Sequence, residues 1–364
     1  MGTSLRRLMQ PAALLVPGAL LALTGVATAA ASPVAPDLLA SPGIVVSAGA
    51  PALPTSITGE SWLVADADTG AVLAARDAHG SHLPASTLKV LTAITLIPKL
   101  DPAARFQPSQ EDLNVDGSKV GLFREYAYPV STLFTAMLVV SANDAADTLA
   151  TGNGGIAITA DQMNAEALRL GATGTHAVNP SGLDAPGQRS TAYDLALFGR
   201  AGLALPDFRR YIGTRSSTVP GMNGKQIAIQ SHDKLLFNYP GAIGIKNGYT
   251  VAARATYIGA ATRDGHTMIV TVMRAQPRIW PEVAALLDWG FAAQKAGIAP
   301  VGQLASPAAS PAPVVASPAA IRTQSQRQDT TSTPTPPSWV AAVAVSGMVI
   351  AKRIRSRRRR RNRS

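Results

Sequence analysis

Two short apolar runs, residues 62–65 and 71–74, flank Asp68-Thr69-Gly70. Asp and Gly suit a tight reversal and both flanks favour a buried sheet, so this stretch predicts a β-hairpin. After Pro84 the apolar block 90–97 reads as a buried helix that Pro98 ends. Apolar positions recur with helical period over 161–170 and 192–203. Toward the end, 253–261 and 267–274 read as paired strands joined by Arg263-Asp264-Gly265-His266, and 281–293 as a last helix. Strands at both ends around a helical middle predict an α+β domain whose termini share one sheet. No internal repeat is visible.

The flanks of this region have a different composition. Residues 1–29 have the form of a secretory signal peptide: Arg6 and Arg7, an apolar stretch 12–26, then Ala27-Thr28-Ala29. Pro17 and Gly18 interrupt the apolar stretch and argue against a membrane span there. Residues 30–56, rich in Ala, Pro, Ser and Gly, read as a spacer. Residues 301–337 hold too few large apolar side chains to fold alone and read as a linker. Beyond it, 339–351 is apolar and is followed by Lys352, Arg353 and Arg355. A helix of that length spans about 20 Å against a hydrocarbon core of about 30 Å. With snorkelling lysine and arginine at its end, 338–354 is expected to be a short membrane anchor and 355–364 a basic cytoplasmic tail. The folded domain is then expected over 57–300.

Charge and cysteine content narrow the classes of function. The formal charge is +11, but two Arg lie in 1–29 and nine Lys or Arg in 352–364. Of the 33 basic residues 22 remain, against 22 acidic ones, so the domain presents no basic footprint for nucleic acid. With no cysteine, disulfides and thiolate chemistry are excluded, and roughly 240 residues must be held by an apolar core. His79, His82 and Asp77 are close in sequence, but three potential ligands in a polar turn are weak grounds for a metal, and no metal or other cofactor is expected.

Three short motifs carry candidate chemistry. In Ser86-Thr87-Leu88-Lys89, at the start of a helix, the i, i+3 spacing brings the Lys amine within reach of the Ser hydroxyl. A serine hydroxyl needs a base, and a desolvated lysine can be one when neutral. Leu83, Pro84, Val90 and Leu91 flank the pair with apolar bulk, and a second nearby cation would lower the Lys pKa further. Ser141-Ala142-Asn143 follows an apolar run; a hydroxyl there can relay a proton and a carboxamide can hold an amide. Lys246-Asn247-Gly248-Tyr249 leads into a strand, offering a cation beside a residue that lets another backbone approach. Each piece alone is commonplace, as a helix cap or a strand entered through a turn. Their conjunction in this order is not.

In these motifs the chain resembles the penicillin-binding serine D,D-carboxypeptidases, whose motif set is Ser-x-x-Lys, Ser-x-Asn and Lys-Thr-Gly. The resemblance extends over 57–300, through His176-Ala177-Val178-Asn179-Pro180-Ser181-Gly182-Leu183 and Leu286-Leu287-Asp288-Trp289-Gly290-Phe291. It implies the β-lactamase/D,D-peptidase-like fold, an antiparallel sheet flanked by helices with a helical subdomain. It also implies Ser86 as nucleophile on the penultimate D-Ala carbonyl of peptidoglycan stem peptides, with Lys89 as its base. Ser141 would pass the proton to the leaving amine and Asn143 would hold the substrate amide. Lys246, Asn247 and Arg278 would face the terminal carboxylate. Gly248 and Tyr249 would line the cleft, with the N–H groups of Ser86 and Tyr249 as the oxyanion hole. β-Lactams are the implied inhibitors.

Two departures stand out. Asn247 replaces the usual Thr or Ser, so a carboxylate can still be bound but a proton cannot be relayed. Ser231-His232-Asp233-Lys234 stands where the family has an Asn-x-Asn run, and His232 is expected at the surface. A catalytically impaired muropeptide binder is the alternative that Asn247 allows. A β-lactamase is a lesser one, because 179–191 contains no Glu to activate a deacylating water.

Overall fold

The computed structural model describes residues 37–305, together with Gly2. Its strands are β1 (Ile44–Val46), β2 (Ser61–Asp66), β3 (Ala71–Arg76), β4 (Arg105–Phe106), β5 (Tyr128–Pro129), β6 (Ser216–Pro220), β7 (Gln226–Gln230), β8 (Ala242–Thr250), β9 (Arg254–Arg263), β10 (His266–Ala275) and β11 (Gly302–Gln303). Its α-helices are α1 (Lys89–Leu96), α2 (Gln110–Asn114), α3 (Val130–Val139), α4 (Asn143–Gly152), α5 (Ile156–Arg169), α6 (Ala192–Leu203), α7 (Pro206–Ile212), α8 (Leu235–Asn238) and α9 (Trp280–Lys295).

The main sheet is antiparallel throughout, in the order β1-β3-β2-β10-β9-β8, with β11 also on β3. Both faces are buried, and alternate side chains serve two cores. Leu63 and Ala65 of β2, Ile258 and Ala260 of β9 and Ile269 of β10 pack with the helical layer. Trp62, Val64, Tyr257, Val270 and Val272 pack under α9, against Val283, Leu286 and Leu287. That arrangement explains why these strands are apolar along their length. Leu286 is wholly buried there, so Leu286→Ala is expected to cost about 2–5 kcal/mol.

The 62–66/71–74 hairpin, the helices at 90–97, 161–170, 192–203 and 281–293, and the 253–274 strand pair all form at or near their expected positions. Both ends of the domain do share one sheet. Its limits, however, are wider than expected. In place of a free spacer, the chain before 57 packs on the domain: β1 pairs with β3, Leu39 is buried, and the Trp289 indole donates to the Pro51 carbonyl at 2.9 Å. Likewise β11 pairs with β3, and Val301 and Leu304 are buried. A few apolar residues at a sheet edge outweigh the Pro/Ala/Ser composition around them. The expected signal peptide, most of the linker and the apolar run 338–354 lie outside the described residues. Among the described residues no helix is long and apolar enough to cross a membrane.

Candidate active site

The chain enters the site through a strained turn. Ala85 has φ 48°, and a 3-10 turn over Ala85–Leu88 carries Ser86 directly into α1. Two hydroxyls hold this turn by donating to the Pro84 carbonyl: Thr87 at 2.6 Å and Thr256 of β9 at 2.8 Å. Ser86 is half-buried and reachable, whereas Lys89, one helical turn on, is wholly buried.

The Lys89 Nζ donates to Ser86 Oγ at 3.0 Å, to Asn143 Oδ1 at 2.7 Å and to the Ser181 carbonyl. Burial, then the nearby Lys246 charge, hold the Lys89 pKa well below the usual lysine value, while Asp147 and Asp144 act in the opposite sense. In its neutral form the amine keeps two N–H donors, for Asn143 and the Ser181 carbonyl, and turns its lone pair to the Ser86 hydroxyl, as a general base requires.

Asn143 is oriented from both sides. Its Nδ2 donates to the Asp116 carbonyl at 2.6 Å, and its backbone N–H donates to the Ser118 carbonyl at 2.7 Å. The neighbouring Asp144 accepts the backbone N–H groups of Val120, Gly121 and Leu122 at 3.1, 2.9 and 3.1 Å, fixing the loop that faces the site. Ser141 sits between α3 and α4, buried, with φ 61°. That left-handed backbone costs a non-glycine residue about 1–2 kcal/mol and marks a position held by its surroundings.

Edge strand β8 forms the opposite wall. Lys246 is buried and donates to the Asn247 carbonyl at 2.7 Å; burial pushes its pKa down to about 7 against the Asp233 carboxylate, which raises it. Asp233 is itself held by the Tyr257 hydroxyl at 2.8 Å and the Leu235 N–H at 2.9 Å. Gly248 shares a face with Lys246, and a Cβ there would lie 2.7 Å from the Ser86 nitrogen and 2.5 Å from Thr256 Oγ1. Only glycine lets the strand approach the nucleophile's backbone this closely. Asn247 alternates to the other face, where it lines a pocket of about 150 Å³ with Tyr249, Pro277, Ile279 and Trp280.

The structure thus joins Ser86, Lys89 and Asn143 by direct hydrogen bonds, with Gly248 against the nucleophile and Lys246 acting through its charge. Among the described residues no hydrogen bond links the Ser141 hydroxyl to either lysine. Tyr249 is exposed, and Arg278 is exposed between two residues of the Asn247 pocket without bonding to any member of the set. His232 lies at the surface, as expected. The His79 ring packs on Tyr193 while His82 faces Asp77 at 3.6 Å, so those three potential ligands do not converge. Asp66, Asp68 and His266 do come together, but at the far end of the β9–β10 hairpin from Ser86. A cavity of about 720 Å³ between α6 and the sheet contains none of the motif residues.

Sequence reasoning missed the Ser181 carbonyl and Asp233. The first is a backbone atom with no side-chain signature. The second lies in residues 231–234, between β7 and α8, where nothing in the sequence shows that its charge reaches Lys246.

Known proteins similar to this chain point to one family. A family model described as D-alanyl-D-alanine carboxypeptidase matches residues 46–277. D-alanyl-D-alanine carboxypeptidase DacB2 of Mycobacterium tuberculosis is 44% identical over 240 residues, covering 64% of this chain and 82% of that protein. DacF of Bacillus subtilis is 26% identical, and the match covers 62% of its length. A crystal structure of a D-alanyl-D-alanine carboxypeptidase from M. tuberculosis superposes with a TM-score of 0.66 at 43% identity, covering 68% of this chain and 96% of that one. The Streptomyces K15 DD-transpeptidase, at 24% identity and a TM-score of 0.63, shares the fold.

Proposed function

The chain belongs to the serine D-alanyl-D-alanine carboxypeptidase family, and from that premise we propose that Ser86 removes the terminal D-Ala from peptidoglycan stem pentapeptides. The observation that carries the assignment to Ser86 is the wholly buried Lys89 amine 3.0 Å from its hydroxyl. In the proposed cycle, Ser86 Oγ attacks the carbonyl of the penultimate D-Ala as its proton passes to neutral Lys89. The N–H groups of Ser86 and Tyr249 receive the oxyanion; loss of one such donor typically costs about a hundred- to a thousandfold in rate. Collapse breaks the peptide bond, and the D-Ala amine leaves with a proton relayed through Ser141. Water, deprotonated by Lys89, then hydrolyses the acyl-enzyme.

Asn143 would hold the substrate amide while orienting Lys89. Lys246 would face the terminal carboxylate, and the arrival of that anion raises the Lys246 pKa, so substrate itself favours the charged form. Asn247 and Arg278 would supply further donors at the rim. β-Lactams, which place a carboxylate and a reactive carbonyl in the same cleft, would acylate Ser86.

The proposal includes export by 1–29 and retention at the outer face of the cell membrane by 338–354, supported by the apolar run and the basic residues after it. Truncation after 337 should then move the protein from the membrane to the soluble fraction; an unchanged distribution would refute the anchor. For the activity, purified protein should release D-Ala from a stem pentapeptide mimic. Release that persists in Ser86→Ala, or no release by the parent, would overturn the assignment.

A further inference from the structure

Helix α4 carries a buried acid that the proposed cycle leaves unused. Asn143, Asp147 and Thr151 stand four residues apart and so line one face of this helix. At one end of the stripe Asn143 Oδ1 accepts from Lys89 at 2.7 Å. At the other, the Thr151 hydroxyl donates to Asp112 of α2, also at 2.7 Å. Asp147 lies between them, 7% exposed, and among the described residues its buried Oδ1 has no hydrogen-bond partner. An ionised carboxylate in such a place is stabilised by a cation or else takes up a proton. Lys89 of α1 is the cation whose field reaches it. The other groups facing the pair are Asp112 from α2, Asp144 from the first turn of α4, and Lys246 of β8, which acts on Lys89.

We propose that Asp147 is a positioning residue of the active site, the charge partner that stabilises the Lys89 ammonium formed when Ser86 gives up its proton. The inference rests on Ser86 and Lys89 being nucleophile and base. In acylation the Ser86 O–H bond breaks and its proton goes to Lys89 Nζ. Ionised Asp147 offsets the new positive charge, which Lys246 opposes. The two groups therefore titrate as a pair. Burial, then the Asp112 charge, push the Asp147 carboxyl up to about 7, in the range where its charge changes under working conditions.

The test is Asp147→Asn in the full-length protein, which keeps the shape and removes the charge. The second-order rate of acylation by a penicillin is measured from pH 5 to 9 beside the parent. Without the carboxylate Lys89 holds its proton less well, so the acid limb of the variant moves to lower pH by on the order of one unit. Limbs that superimpose, or a uniform fall in rate without displacement, overturn the proposal, because a merely structural role does not move the limb. If the parent is not acylated at all, the nucleophile–base assignment falls first and this inference with it.

Stability supplies an independent readout. The folded pKa of about 7 exceeds the ordinary carboxyl value of 3.8, so the folded state binds more protons and ionisation of Asp147 opposes folding increasingly from about pH 4 to about pH 7. Asp147→Asn lacks that loss. Its stability relative to the parent should rise with pH across this window and level off above it, and a flat difference would contradict a titrating Asp147.

Discussion

The two walls of the cleft are built for different tasks. On the inner wall, the Ser86 turn, α4 and the Ser181 carbonyl give Lys89 three hydrogen-bonding partners and leave it no solvent. On the outer wall, β8 buries Lys246 just as deeply, but beyond it Asn247 is half-buried and Tyr249 is 57% exposed. In the proposed cycle the chemistry is thus assembled before any substrate arrives, while the proposed recognition surface stays open for a ligand to complete. The two lysines are equally buried, but their neighbours differ and so do the roles proposed for them: a hydroxyl and a carboxamide for Lys89, a strand carbonyl and the field of Asp233 for Lys246.

That contrast breaks most sharply where the walls touch. Gly248→Ala should lower acylation and D-Ala release by at least about a hundredfold, since its Cβ would push β8 away from the Ser86 nitrogen and spoil the proposed oxyanion hole. Burst kinetics with a penicillin would check this, and a rate within about threefold of the parent would show that the two walls are not so closely coupled.

A smaller effect separates the lysines by pH. With free Lys246 titrating at about 7, kcat/KM for a carboxylate-bearing peptide should fall above that pH, approaching about tenfold per unit as the cation is lost. In the bound complex the limb should move to higher pH, so kcat should hold longer than kcat/KM. A kcat/KM profile flat to about pH 9 would assign carboxylate recognition to another group.

The smallest change is expected at the rim. Asn247→Thr restores a compact hydroxyl at a half-buried position and should raise penicillin acylation several-fold, with little change in melting temperature. A fall in rate would mean that this chain uses the Asn247 amide directly.

The same division governs what can be read from the sequence. Ser86 and Lys89 are legible because helical spacing alone makes them neighbours, and the motif order points to Asn143 and Lys246. The 62–76 hairpin and α9 are legible because their apolar residues cluster in sequence. Asp147 is not: on α4 it looks like any helix-surface acid until tertiary packing buries it. Residues 37–56 read wrongly as spacer because the three-residue β1, Leu39 and the Pro51 carbonyl contribute little to composition, yet each meets a prepared site on the domain. Arg278 remains an outlier of the resemblance, placed near the Asn247 pocket but bonded to none of the site residues.

The central claim is that Ser86 is the nucleophile of this cleft. Intact-mass measurement after brief exposure of the purified protein to a penicillin, with Ser86→Ala in parallel, tests it most directly. The account predicts one adduct of the drug's full mass on the parent, persisting over minutes, and none on the variant. An adduct on both proteins, or none on either, would contradict it.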